Sequence, residues 1–259
     1  MSPSPTPAGA SAPPAAVQLW TIRDHYDDLP AALQHLTALG FTQVEAWGFT
    51  WATDLAPALR AAGLPAPTGH ATLIGGELDT TFAAAKEVGV RTVIEAWTEP
   101  ERWQHADDVR AMAEELNAAA KAAAAVGLRV GYHNHDHDFS SLLDGRPAFE
   151  LFVEQLDDDV VLEIDVHMVQ VGGLDPLAVL RRHADRVIAV HLFGEPALSV
   201  TAARDAAAVR AVVPHAVPIV ELHESQTDVF GVLATASALL AGTAAPTSIT
   251  PAALLDGRS

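Results

Sequence analysis

Four apolar runs in the second half of this sequence end on acids and imidazoles. One runs into Tyr132-His133-Asn134-His135-Asp136-His137-Asp138, the next into Glu163-Ile164-Asp165-Val166-His167, the third ends Val190-His191, and the fourth ends Val220-Glu221-Leu222-His223-Glu224. One group from each gives Asp138, Asp165, His191 and Glu221, separated by 27, 26 and 30 residues. That step is one strand plus one helix. Neighbouring strands lie about 4.8 Å apart, so side chains from consecutive strand ends can converge on a single ion. Three carboxylates and an imidazole suit a hard to borderline divalent cation. Mn²⁺ is expected first, with Mg²⁺, Co²⁺ and Zn²⁺ as alternatives, because a chain without cysteine offers no thiolate. A single strand-end Asp, Glu or His caps a helix or a loop amide as often as it does chemistry. Four in successive units point to a site.

Other residues at run ends join the candidates. His167, two residues after Asp165, could carry protons and shares its face if the strand continues that far. Glu45 and His70 each terminate an earlier run. Trp20, Trp47 and Trp97 stand where an aromatic face could pack on the C–H surface of a sugar ring, the alternative being ordinary rim packing. His105, His183 and His215 fall on helical or connecting segments and read as surface groups.

The elements that must position these groups alternate along the chain. Strands are expected at Val17 to Trp20, Gln43 to Ala46, Ala66 to His70, Thr92 to Ala96, Arg129 to Asn134, Val160 to Asp165, Val187 to His191 and Val217 to Glu221. Helical patterns occupy Leu29 to Leu39, Ala52 to Ala62, Leu78 to Val88, Asp107 to Val126, Phe149 to Leu156, Pro176 to His183, Ala202 to Val212 and Phe230 to Leu240. Gly40, Gly63 and Gly89 close helices just before strands, as short αβ connections require. Eight strand–helix pairs predict an α/β fold, a single-domain (β/α)₈ TIM barrel over residues 17–242, with tails at 1–16 and 243–259 and one short helix near Ala252 to Leu255. In such a barrel, groups at the C-terminal ends of strands are the ones that do chemistry.

Composition narrows the partners. A chain of 259 residues that is 49% hydrophobic can bury the core of one barrel. Fifteen Lys and Arg against 33 Asp and Glu give a formal charge of −18, a field that repels nucleic acid and acidic membrane surfaces. The Pro, Ala and Ser-rich start is unlike a signal peptide, and no run is long and apolar enough to span a bilayer, so a cytoplasmic protein is expected. Few Lys or Arg beyond Arg23 and Arg146 fall on the expected top-face loops, which favours a neutral sugar over a phosphorylated one.

The chain resembles the sugar phosphate isomerase/epimerase family of xylose isomerase-like barrels. The resemblance runs through Gln18-Leu19-Trp20-Thr21-Ile22-Arg23-Asp24, Val44-Glu45-Ala46-Trp47-Gly48-Phe49 and Tyr132-His133-Asn134-His135. It continues through Glu163-Ile164-Asp165, Gly172-Gly173-Leu174-Asp175-Pro176, Val190-His191 and Val220-Glu221. It implies metal ligands at Asp138, Asp165, His191 and Glu221, with Asp138 standing where relatives carry Glu and His135 or His137 as substitutes. It implies substrate contacts at Trp20, Glu45, His70, Trp97, His133 and Asn134, with Glu221 and Asp138 as metal-linked acid/base groups and His167 or His135 as alternative shuttles. The implied function is a divalent-metal-dependent isomerase or epimerase acting on a sugar or keto-polyol through a metal-stabilised enediolate. The alternatives are a keto-inositol dehydratase, cleavage of a 3-keto-glycoside, or a sugar-binding barrel without turnover. Relatives often form dimers. After His191 this chain continues Leu192-Phe193-Gly194-Glu195 where relatives commonly carry a Lys-Asp pair, which implies a reduced substrate loop.

Overall fold

The computed structural model describes residues 13–192, 202–223 and 228–242. Eight parallel strands close into a barrel: β1 (Ala16–Gln18), β2 (Gln43–Ala46), β3 (Thr68–Ala71), β4 (Thr92–Glu95), β5 (Arg129–His133), β6 (Val161–Asp165), β7 (Val187–Leu192) and β8 (Val217–Val220), with β8 pairing back onto β1. Around it lie α1 (Leu29–Ala38), α2 (Leu55–Ala62), α3 (Leu78–Val88), α4 (Ala106–Ala125), α5 (Asp136–Ser140), α6 (Ala148–Gln155), α7 (Val166–Val171), α8 (Pro176–His183), α9 (Ala202–Val212) and α10 (Val229–Leu240). The expected tail segments 1–12 and 243–259, the short helix near Ala252 and the segment after Leu192 lie outside the described residues. Ala16, expected in the tail, opens β1 and pairs with Ile219. Among the described residues no helix is long and apolar enough to cross a membrane.

Helix formation follows the apolar spacing. In α4 the buried residues Val109, Met112, Ala113, Leu116, Ala120 and Ala123 recur every three or four positions and make one stripe against the strands. Gly127 ends that unit at φ 80°, a left-handed conformation that Gly adopts without a Cβ clash. Asp175 caps α8 by accepting from the Leu177 N–H, with Pro176 at its first turn.

Strand alternation divides the side chains between two faces. Val17, Val44, Val93, Val130, Leu162 and Val190 pack outward into the layer shared with the helices. Ala16, Ala189 and Ile219 form a separate small cluster. Each lies two residues before a polar group, Gln18, His191 and Glu221, so the barrel interior runs from an apolar floor to a polar upper layer.

Three features were not anticipated, the first a 3-10 segment, Leu19–Asp28, that follows β1 and takes Trp20 out of the expected strand. The short helices α5 and α7 begin immediately after β5 and β6, and a two-stranded antiparallel hairpin, Leu142–Leu143 with Arg146–Pro147, follows α5. Both helices change where strand-end side chains go.

Candidate active site

Strand register brings the polar groups together. His133 pairs with Glu163, Asp165 with His191, and Gln18 with Glu45, so each pair stands side by side on the barrel interior. Two overlapping sets of buried donors result: His133, Asp165, His191 and Glu221, and His70, His133, Glu163 and His191. Within each set the ligand atoms lie within 4.8 Å of one another.

The deeper set is densely bonded. Glu163 Oε1 is 2.7 Å from His70 Nε2, 3.1 Å from His133 Nδ1 and 3.0 Å from His191 Nε2. Glu45 Oε1 accepts from Gln18 Nε2 at 2.9 Å and lies 2.8 Å from His191 Nε2 and 3.2 Å from His70 Nε2. Oε2 of both carboxylates is buried without a hydrogen-bond partner. Higher up, His191 Nδ1 is 2.8 Å from Glu221 Oε2, and His223 Nε2 is 3.2 Å from Asp165 Oδ2 and 3.9 Å from Glu221 Oε2.

The electrostatics match this geometry. Burial pushes the Glu163 carboxyl up, but His191, His70 and His133 outweigh it and hold it well below the usual carboxylate range. Burial likewise raises Asp165 and Glu221, and the imidazoles around them bring both below the ordinary value. Burial lowers His70, yet Glu45 and Glu163 lift it to about 10. Four carboxylates in a dry interior demand compensating positive charge, which imidazolium or a divalent cation can supply. With carboxylate oxygens and imidazole nitrogens within 4.8 Å of one another, either set fits a divalent metal ion.

Of the expected ligands, Asp165, His191 and Glu221 come together, and His133 completes the set. Asp138 lies in neither set. It is the N3 residue of α5, where its Oδ2 accepts from Tyr132 OH at 2.7 Å and from the His135 N–H at 3.1 Å. Burial pushes its pKa well above the ordinary carboxylate value. His137 Nε2, 3.3 Å from Asp138 Oδ1, sits with it outside both sets.

The other expected residues divide between layers. Glu45 and His70 belong to the deep network. Asn134 is spent on the backbone, donating through Nδ2 to Asp165 O at 3.2 Å and accepting through Oδ1 from the Asp165 N–H at 3.0 Å. His135 stands 5.1 Å from the His133 ring and 4.5 Å edge-on from Trp97, and burial first, then His133, lowers it to about 2, so it is neutral. Trp97 is 48% exposed. Trp20 lies under the Arg23 guanidinium, 4.4 Å away, and edge-on to Trp47 at 4.8 Å. His167 lies on α7 because β6 ends at Asp165, and its ring comes 6.2 Å from that of His223.

Glu163 and His223 were not among the expected site residues. Glu163 stands two residues before Asp165 and His223 two after Glu221, so period-two alternation was the available signal for both.

No protein-family model and no curated protein matches the chain. Solved structures do. A sugar phosphate isomerase/epimerase from Parabacteroides distasonis ATCC 8503 superposes with a TM-score of 0.75 at 18% identity, covering 93% of this chain and 98% of that one. It shares the fold of the sugar phosphate isomerase/epimerase barrels. Two further barrels of this fold are similar. L-ribulose 3-epimerase gives a TM-score of 0.67 at 16% identity, covering 95% and 99% of the two chains. The 3-keto-D-glucoside 4-epimerase YcjR from E. coli gives 0.66 at 16%, covering 89% and 99%.

Proposed function

We propose that this chain is a divalent-metal-dependent isomerase or epimerase acting on a neutral sugar or keto-polyol. The observation that carries this reading is the buried set His133, Asp165, His191 and Glu221 at C-terminal strand ends, beneath a rim that carries Trp20 and Trp97. These four residues would hold the ion, with His133 in the corner expected of Asp138 and Mn²⁺ as the first choice of metal. A bound divalent cation supplies Lewis acidity, which eases removal of a proton beside a carbonyl. The similar L-ribulose 3-epimerase and 3-keto-D-glucoside 4-epimerase barrels support sugar epimerisation as the reaction class.

The protein groups divide the work. Glu221, 2.8 Å from His191 Nδ1, would accept the proton beside the substrate carbonyl. His135, neutral in its buried position, can both donate to and accept from a substrate hydroxyl. The His223 and His167 rings lead outward from Asp165 and could pass protons to the rim. Trp97 offers an apolar face for a sugar ring. Arg23 binds the Trp20 and His223 carbonyls and Arg146 pairs with Glu154, which supports a substrate without phosphate.

The test is solvent exchange. Ketoses and keto-glycosides incubated in D₂O with the Mn²⁺-supplied protein are expected to gain deuterium beside the carbonyl, read by NMR, and the Asp165→Ala plus His191→Ala variant should not support this. Product analysis of the same samples separates isomers from elimination or cleavage products. Saturable sugar binding without exchange would replace the enzyme reading with a binding barrel.

A further inference from the structure

The two donor sets share His133 and His191, and that sharing limits what they can hold. A neutral imidazole has one N–H and one lone pair. A ring that gives its lone pair to a cation on one side presents its N–H to the other. Neutral His133 and His191 therefore cannot serve ions in both sets at once, and the surroundings of each ring decide which set is filled.

Those surroundings differ. On the deep side, His191 Nε2 faces Glu45 Oε1 at 2.8 Å and Glu163 Oε1 at 3.0 Å, and His133 Nδ1 faces Glu163 Oε1 at 3.1 Å. Both carboxylates are fully enclosed, and each already takes a further donor, Gln18 Nε2 on Glu45 and His70 Nε2 on Glu163. Three imidazole nitrogens crowded on one carboxylate oxygen is the pattern of N–H donors. On the upper side, His191 Nδ1 meets Glu221 Oε2 at 2.8 Å, next to Asp165 and the partly exposed His223. The His223 side chain, 23% exposed, leads from this side toward solvent.

We infer that Glu45 and Glu163 are positioning residues: they take the deep N–H of His191 and His133, so that Nδ1 of His191 and Nε2 of His133 face one cation held with Asp165 and Glu221. The inference rests on the metal reading above. A ligating histidine whose second nitrogen donates to a carboxylate is fixed in tautomer and ring orientation, and loss of such a partner typically costs about 10- to 100-fold in metal affinity.

Zn²⁺ is the probe, because it is diamagnetic and binds the same donors. In ¹⁵N-histidine-labelled protein loaded with Zn²⁺, long-range ¹H–¹⁵N spectra should show His191 protonated at Nε2 and coordinated through Nδ1, with His133 protonated at Nδ1 and coordinated through Nε2. Calorimetry should give one ion per chain, and Glu163→Gln and Glu45→Gln should each weaken Zn²⁺ about 10- to 100-fold at unchanged stoichiometry. The opposite tautomers, two ions per chain, or affinity unchanged in both folded variants would overturn the inference while leaving the metal reading standing. Wild-type protein that takes up no Zn²⁺ would overturn both. The tautomer measurement uses the unaltered chain, so it decides the question even if a variant does not fold.

Discussion

Asn134 grips the backbone of Asp165 with both ends of its amide, donating to the carbonyl at 3.2 Å and accepting from the N–H at 3.0 Å. Asn134 lies just beyond β5 and Asp165 ends β6, so this pair fixes one strand end against the next at the point where α7 begins. Asp165 in turn caps α7 by accepting from the Met168 N–H at 2.9 Å. Asn134 therefore acts on the candidate site through Asp165.

Replacing Asn134 with Ala strands the buried Asp165 N–H and removes one donor from the Asp165 C=O, which still accepts the first bond of α7. The expected loss is about 1–3 kcal/mol, the cost of one unsatisfied buried group. Urea denaturation measures it, and Mn²⁺ affinity should fall in the same variant because Asp165 loses its anchor. A stability change under about 0.5 kcal/mol would show that the backbone groups find other partners.

Glu95 gives a pH signature away from the candidate ligands. Its carboxylate accepts from the N–H groups of Leu73, Ile74 and Trp97, at 2.7, 2.6 and 3.3 Å. Burial pushes it up from 4.5 to about 7, against the opposing pull of those backbone donors. An acid raised on folding binds more protons folded than unfolded between the two values, so its contribution favours the fold below about 4.5 and is lost as pH climbs to about 7. The stability difference between wild type and Glu95→Gln should therefore shift against the wild type by up to about 3 kcal/mol across that window. Parallel stability–pH curves for the two proteins would contradict it.

Metal should stabilise the fold through the candidate site alone. At free Mn²⁺ about 100 times its dissociation constant, linkage predicts a gain of about 2.7 kcal/mol in the wild type and none in Asp165→Ala plus His191→Ala. Differential scanning calorimetry with and without Mn²⁺ reads the shift, and an equal shift in the variant would place the bound ion elsewhere.

Gly131 is held to its identity by space rather than by backbone angle. A Cβ there would come 2.5 Å from Ile94 Cδ1 and 3.0 Å from Val161 Cγ2, between two neighbouring strands. Gly131→Ala should cost about 1–3 kcal/mol by overpacking, measured by denaturation.

Trp97 tests the sugar-facing rim. If its exposed ring packs on substrate, Trp97→Ala should raise KM about 2- to 10-fold with kcat little changed, consistent with an aromatic contact of about 0.5–1.5 kcal/mol. A fall in kcat at constant KM would instead assign the ring to ordering His135, which it meets edge-on.

The sequence alone determined the alternation of strands and helices, and with it the closed barrel. Apolar period and glycine placement are local signals, and eight repeats of them leave one economical closure. It also pointed to Asp165, His191 and Glu221, because each lies within one residue of its strand's end. Only the tertiary structure decided which further donor lies beside them. Asp138 and His133 lie on the same stretch, and which one faces the barrel axis depends on α5 starting at Asp136, which carries Asp138 to a Tyr132 hydroxyl. The contact of Glu45 with His191 likewise spans 146 residues and exists only when β8 closes onto β1. A side chain's strand can be read from local pattern; its partner across a closed barrel is fixed by packing that no local pattern records.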